Sequence, residues 1–129
     1  MKKCIKDLIE ISRLYGQDPD FVIAGGGNTS YKDSGKMYIK ASGTTLGRLT
    51  EKDLTVLNRD MVRSVIHKKY CSDPVKMDNQ IKEDLLSARE SSDLKRPSVE
   101  ASLHELIEYK YVVHTHPWVV NALLCSKNS

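Results

Sequence analysis

The sequence predicts a single α/β domain with an antiparallel meander near its N-terminus. Three stretches carry that expectation. A DSGK turn (33–36) joins TSYKD to KMYIKAS (36–42), where Met37 and Ile39 alternate with polar partners as in a half-buried strand. The GGGN run at 25–28 supplies backbone permissive of positive φ just upstream of that hairpin. Further on, the amphipathic PSVEASLHELIEY (97–109) feeds the β-branched YVVHTH (111–116), a helix followed at once by a strand. At 129 residues the chain can bury one hydrophobic core but not two.

The elements follow in order. Ile5, Leu8, Ile9 and Leu14 recur at helical spacing over 3–15, with Gly16 placed as the stop. FVIA (21–24) reads as a short apolar strand running into GGGN. SGTTLGRLTEKD (42–53) reads as a loop ending in a helical turn, with Thr50 and Asp53 at capping-box spacing. LTVLN (54–58) is a strand, DMVRSVIHKKY (60–70) a helix and CSDPVKMDN (71–79) a connector. QIKEDLLSARESS (80–92) fits either a helix or a polar surface segment. In the 97–109 helix, Leu103, Leu106 and Ile107 fall on one side. Pro117 suits the first turn of a last helix reaching Leu124.

Composition narrows the function. Twenty Lys and Arg are interspersed with seventeen acids, for a net charge of +3, so the basic stripe that nucleic acid demands is absent. No run approaches the ~20 apolar residues of a membrane span. Asp7 and Glu10 interrupt the only stretch placed to be a secretory leader. Cys4, Cys71 and Cys125 are odd in number and form no CxxC pair, so free thiols and a cytoplasmic setting are expected.

Three constellations bear on chemistry. His114 and His116 stand one residue apart, so on a strand they share a face about 6.6 Å apart. Two such imidazoles can converge on one cation, or each can simply bond a carbonyl at a strand end. Glu100 lies near the start of the helix that feeds this strand, where a carboxylate is at ease beside the helix dipole. If the connection through Tyr109 and Lys110 is tight, Glu100 reaches the histidines and has the position of a proton-abstracting base. The small and hydroxyl residues Gly25 to Thr29 and Ser42 to Thr45 are either two turns or a cradle for an anion. They match neither GxGxxG nor the P-loop.

Taken in order, GGGNTS, KASGTTLGRLTEKDL and RPSVEASLHELIEYKYVVHTHP resemble the class II aldolase/adducin family of zinc-dependent sugar-phosphate aldolases. The wording is most similar to the aldolase portion of longer, bifunctional rhamnulose-phosphate aldolase/dehydrogenase-like proteins, and the resemblance spans roughly residues 5 to 126. It implies a three-layer α/β/α sandwich around a mostly antiparallel sheet, and assembly as homo-oligomers (tetramers in the family) with active sites between subunits. His114 and His116 match two of three zinc ligands, and Glu100 matches the catalytic acid/base. Asn28, Ser42, Gly43 and Ser98 match positions that bind the substrate phosphate. The implied reaction is cleavage of a ketose phosphate, such as rhamnulose- or fuculose-1-phosphate, to dihydroxyacetone phosphate and an aldehyde. Zinc would supply Lewis acidity and Glu100 would carry the proton.

Two departures qualify that expectation. The family's third zinc histidine lies several dozen residues past the second, beyond Ser129, so residues 1–129 are expected to be one incomplete, C-terminally truncated domain with impaired activity. His104, a turn after Glu100, is the remaining candidate for a third ligand. Val99 stands where many aldolases carry another phosphate-binding serine. Two further readings follow from the resemblance: a non-enzymatic binding or assembly module like the adducin head, and a pentulose-phosphate 4-epimerase.

Overall fold

The computed structural model describes residues 1–90 and 93–127. In chain order its elements are α1 (Lys3–Gly16), β1 (Asn28–Lys32), β2 (Lys36–Lys40), β3 (Leu54–Asn58), α2 (Arg59–His67), α3 (Pro74–Ser87), α4 (Ala101–Leu106), β4 (Tyr111–His114) and α5 (Trp118–Leu124). Two 3-10 turns, Leu46–Arg48 and Glu51–Asp53, lie between β2 and β3. Among the described residues the strands form one antiparallel sheet in the order β3-β2-β1-β4.

The sheet carries helices on both faces. On one, Ile5, Leu8 and Ile9 of α1 pack with Leu49 and Leu54, against Tyr31, Tyr38 and Tyr111. On the other, Met37, Ile39 and Leu57 meet Val62 and Val65 of α2, Leu85 of α3 and Ala101 of α4. This is the three-layer α/β/α sandwich around an antiparallel sheet. Strand alternation produces it, because Met37 and Ile39 face one layer while Tyr38 faces the other. Burying each large side chain contributes about 1.5–3 kcal/mol.

Local signals explain the turns. Asp33 Oδ1 accepts from the N–H groups of Gly35 (3.0 Å) and Lys36 (2.7 Å), closing the β1–β2 hairpin. The capping box forms as expected, with Thr50 N–H donating to Asp53 Oδ2 at 2.8 Å. Asn58 caps α2 through Met61 N–H at 3.1 Å. The outer edge of β3 is covered by the segment after α3, where Asn58 N–H donates to Ala88 O and Glu90 N–H to Val56 O.

Several elements differ from the sequence reading. FVIA is not a strand, and the first strand starts at Asn28. Helix α3 begins at Pro74 inside the expected connector, because Asp73 caps it (Oδ1 to Val75 N and Lys76 N, each 3.0 Å) and proline suits its first turn. The last two residues of the 80–92 stretch lie outside the described residues. Helix α1 does end at Gly16, its last residue, with Gln17 as the cap. A Cβ at Gly16 would stand 2.3 Å from the Gly47 nitrogen, so glycine is needed for close approach to the 46–48 turn. Leu14 is exposed, and buried Ser12 completes the inner face of α1. The 97–109 helix is only Ala101–Leu106, and Leu103, Leu106 and Ile107 are exposed while Ala101, His104 and Glu105 are buried.

That inversion has a polar cause. Asn28, Ser30 and Lys32 alternate along β1 and face α4 and the segment before it. Asn28 Nδ2 donates to Ser98 Oγ at 2.7 Å, Ser30 Oγ lies 2.7 Å from His104 Nδ1, and the Lys32 ammonium donates to the carbonyls of His104 and Ile107. Glu105 turns to α2, where Arg59 and Arg63 both bond its carboxylate.

Candidate metal centre

The two histidines reach one place by different routes. Strand β4 ends at His114, so His116 does not continue it, contrary to a strand through 116. Its position is instead held from the 18–23 segment. His116 N–H donates to Phe21 O at 2.7 Å, and Trp118 Nε1 donates to Asp20 Oδ1 at 2.8 Å. These bonds turn the chain so that the imidazoles still meet, ring centroids 4.7 Å apart and planes at 66°. Beneath them Gly27 has φ +78°, and a Cβ there would come within 3.1 Å of the His114 carbonyl.

Glu100 enters from α4. It immediately precedes the helix, with its N–H donating to Ser98 Oγ at 3.2 Å. The same hydroxyl accepts from Asn28, so β1 fixes the turn that aims Glu100. Glu100 Oε2 comes to 3.2 Å from His114 Nδ1. One donor atom from each of Glu100, His114 and His116 lies within 4.8 Å of the others. The 3.2 Å approach has ion-pair distance but not hydrogen-bond geometry, which leaves His114 Nδ1 a buried nitrogen without a hydrogen bond. An unsatisfied imidazole nitrogen facing a carboxylate, with a second imidazole beside it, fits a divalent cation such as zinc.

The electrostatics suit ionised donors. Burial pushes the Glu100 carboxyl up, but the Asn28 amide and His114 beside it outweigh that, and the net shift is downward. Glu100 is therefore a carboxylate at neutral pH. His104 behaves otherwise: burial foremost pulls it down to about 4, so it is neutral. It is not part of the Glu100–His114–His116 group, the one set among the described residues that could hold a metal ion. With Nδ1 engaged by Ser30, its place is in the packing between β1 and α4.

Of the residues expected at the phosphate, Ser42 and Ser98 line one cavity of about 430 Å³. Ser42 N–H donates to Arg96 O at 2.9 Å, which ties the 42–45 loop to the segment leading to Ser98. Asn28 joins through Ser98, with its Oδ1 buried and unpaired. Gly43 follows Ser42 at φ +82° and is exposed, joined to this set only as its chain neighbour. Lys40, which sequence reasoning passed over, is buried beneath the loop with Nζ donating to Thr44 O at 2.8 Å. Burial lowers its pKa, and Glu100 and Asp53 act against that. A second cavity, about 460 Å³, adjoins Lys32, Arg59, Arg63 and Glu105, but the two arginines are already engaged by Glu105. No helix among the described residues is long and apolar enough to cross a membrane.

Residues 6–129 match the family described as the class II aldolase and adducin N-terminal domain. YuxG of Bacillus subtilis (strain 168), described as an uncharacterized oxidoreductase, is 31% identical over 137 residues, which cover 99% of this chain and 19% of that protein. A solved structure, the N-terminal class II aldolase domain of a conserved protein from Thermoplasma acidophilum, is similar with a TM-score of 0.81 at 26% identity. The match covers 98% of this chain and 61% of that one. The chain thus spans less than a fifth of the curated relative and under two thirds of the solved chain.

Proposed function

Since the chain belongs to the class II aldolase and adducin N-terminal domain family, we propose that His114 and His116 bind zinc, with Glu100 beside it as acid/base, for aldol cleavage of a sugar phosphate. The observation that carries this reading is the convergence of one carboxylate and two imidazoles within 4.8 Å, one imidazole nitrogen being left without a hydrogen bond. His114 and His116 would hold the ion, and a zinc ion bound there supplies Lewis acidity toward a carbonyl and its neighbouring hydroxyl.

The remaining work belongs to the chain. Glu100, ionised at neutral pH and held by Ser98 through its own N–H, is positioned to take the proton that cleavage moves and to return it. Asn28, Ser42, Gly43 and Ser98 would bind the substrate phosphate, and that binding orients the reacting carbons relative to Glu100. The ketose phosphate (rhamnulose- or fuculose-1-phosphate being examples) would yield dihydroxyacetone phosphate and an aldehyde. The oxidoreductase description of the much longer Bacillus relative accords with an aldolase portion joined to a dehydrogenase portion. A homo-oligomer belongs to the same reading.

A zinc titration against a competing chelator, on the wild-type chain and on His116→Ala, tests it. One-to-one binding that weakens at least tenfold in His116→Ala is expected. Weak binding unchanged by that substitution would refute the metal site. The 3.2 Å Glu100–His114 approach would then be an ion pair in a binding module like the adducin head. Product analysis on zinc-loaded protein separates cleavage from 4-epimerisation.

A further inference from the structure

The cavity lined by Ser42 and Ser98 is also lined by α3. Its floor is apolar, formed by Leu85 and Leu86, and its rim carries two cations, Lys82 and Arg96. At about 430 Å³ it has the size of a small-molecule site. The two cations are not equivalent. Lys82 is paired with Asp78 at 2.6 Å, so its charge is partly answered within α3. The Arg96 guanidinium has no ion pair or hydrogen bond among the described residues.

The backbone at Arg96 is fixed even though the side chain is unpaired. Arg96 O accepts from Ser42 N–H, and the Arg89 guanidinium bonds Lys95 O at 3.1 Å. One bond therefore ties the hydroxyl of Ser42 and the guanidinium of Arg96 to the same wall. A planar fork of donors beside two hydroxyls, over an apolar floor, is suited to a phosphoryl dianion. The Val99 side chain, at the same wall, is apolar, and Lys82 is already paired with Asp78, which leaves Arg96 as the unpaired cation of the lining.

We propose that Arg96 is the cationic anchor for the phosphate monoester of the substrate, held in the cavity between the 96–99 segment and α3. The proposal rests on the sugar-phosphate reading and adds a residue that this reading does not include. It predicts that phosphate affinity depends on a guanidinium at position 96, and less on Lys82.

The test is binding of inorganic phosphate to the full chain by calorimetry at fixed ionic strength. Arg96→Gln is expected to weaken binding about tenfold, Arg96→Lys by less, and Lys110→Gln, a cation beside the other cavity, not at all. Dihydroxyacetone phosphate is expected to displace phosphate one for one. If Ser98→Ala weakens binding while Arg96→Gln does not, the phosphate cradle stands and the role of Arg96 falls. Equal losses in Arg96→Gln and Lys110→Gln would show diffuse charge attraction and overturn the proposal. Simultaneous binding of phosphate and dihydroxyacetone phosphate would overturn it as well. Absence of phosphate binding by the wild type would remove both the proposal and the reading beneath it.

Discussion

Replacing Glu105 by Gln should destabilise the protein by about 3 kcal/mol. The carboxylate side chain is only 2% exposed and accepts from Arg59 Nε (3.0 Å), Arg59 Nη2 (2.9 Å) and Arg63 Nε (2.9 Å). Removing one partner of a buried pair typically costs about 3–5 kcal/mol, because the other is left desolvated. The low end applies here because Arg63 is 47% exposed and water answers much of its charge. Against a total stability of about 5–15 kcal/mol the loss is large, and it shifts the melting temperature by roughly 10 °C. Urea unfolding followed by far-UV circular dichroism at pH 7 measures it, with an unchanged slope showing that the fold persists.

The same carboxylate fixes a pH window. Burial raises the Glu105 carboxyl, the Arg59 and Arg63 bonds and charges lower it by more, and the net shift is downward. A depressed carboxyl stabilises the fold above its unfolded value of about 4.3, and the effect is lost as pH falls through the folded value. The gap between wild type and Glu105→Gln should therefore narrow below pH 4. A difference under about 1 kcal/mol at pH 7, or one that persists undiminished at pH 3, would refute the assignment of a buried, doubly bonded carboxylate. A compensated double variant, Arg59→Met with Glu105→Leu, should recover much of the loss.

Two further outcomes follow from packing and from a phenol. Gly16→Ala should cost about 1–3 kcal/mol in the same unfolding assay, since its Cβ would meet the Gly47 and Leu46 backbone at 2.3 and 2.6 Å. No loss would mean that α1 and the 46–48 turn are not in contact. Tyr70 is pushed up to about 12 by burial and by its 2.7 Å bond to Asp84, so it should be the last tyrosine to ionise in an ultraviolet titration. A raised phenol contributes stability that is complete below about 10 and lost as pH rises through about 12; Tyr70→Phe should remove that alkaline transition.

How far the sequence disclosed this protein depends on where each residue's partner lies. The hairpin, the capping box and β3 were legible because their determinants are neighbours: Asp33 with Gly35, Thr50 with Asp53. The start of α3 was also written locally, in Asp73 and Pro74, though a polar stretch read as connector concealed it. The inner face of α4 was not legible. An amphipathic pattern points Leu103 and Leu106 inward, but His104 and Glu105 find partners in Ser30 and Arg59, 74 and 46 residues away. FVIA has strand-like residues, yet Phe21 O bonds His116 N–H rather than a ladder, and no local pattern announces that. At the site, Glu100 and the two histidines could be named from their spacing and from the family resemblance. The places of Arg96, at the cavity, and of Lys40, buried under the 42–45 loop, depend on contacts that the folded loop makes, Ser42 N–H to Arg96 O and Lys40 Nζ to Thr44 O.

The alternating polar side chains of β1 have a consequence for how this architecture can vary. Apolar contacts are comparatively forgiving, since hydrophobic residues of similar volume exchange at a cost usually below about 1.5 kcal/mol. Asn28, Ser30 and Lys32 instead meet Ser98, His104 and the carbonyls of His104 and Ile107 like the teeth of a rack. A displacement of one tooth would leave several buried donors and acceptors unanswered at once. The helix is thus indexed to the strand rather than merely stuck to it, and Glu100 inherits that indexing. Drift in this layer should come as paired exchanges across the rack, while the outward leucines of α4 remain free to change.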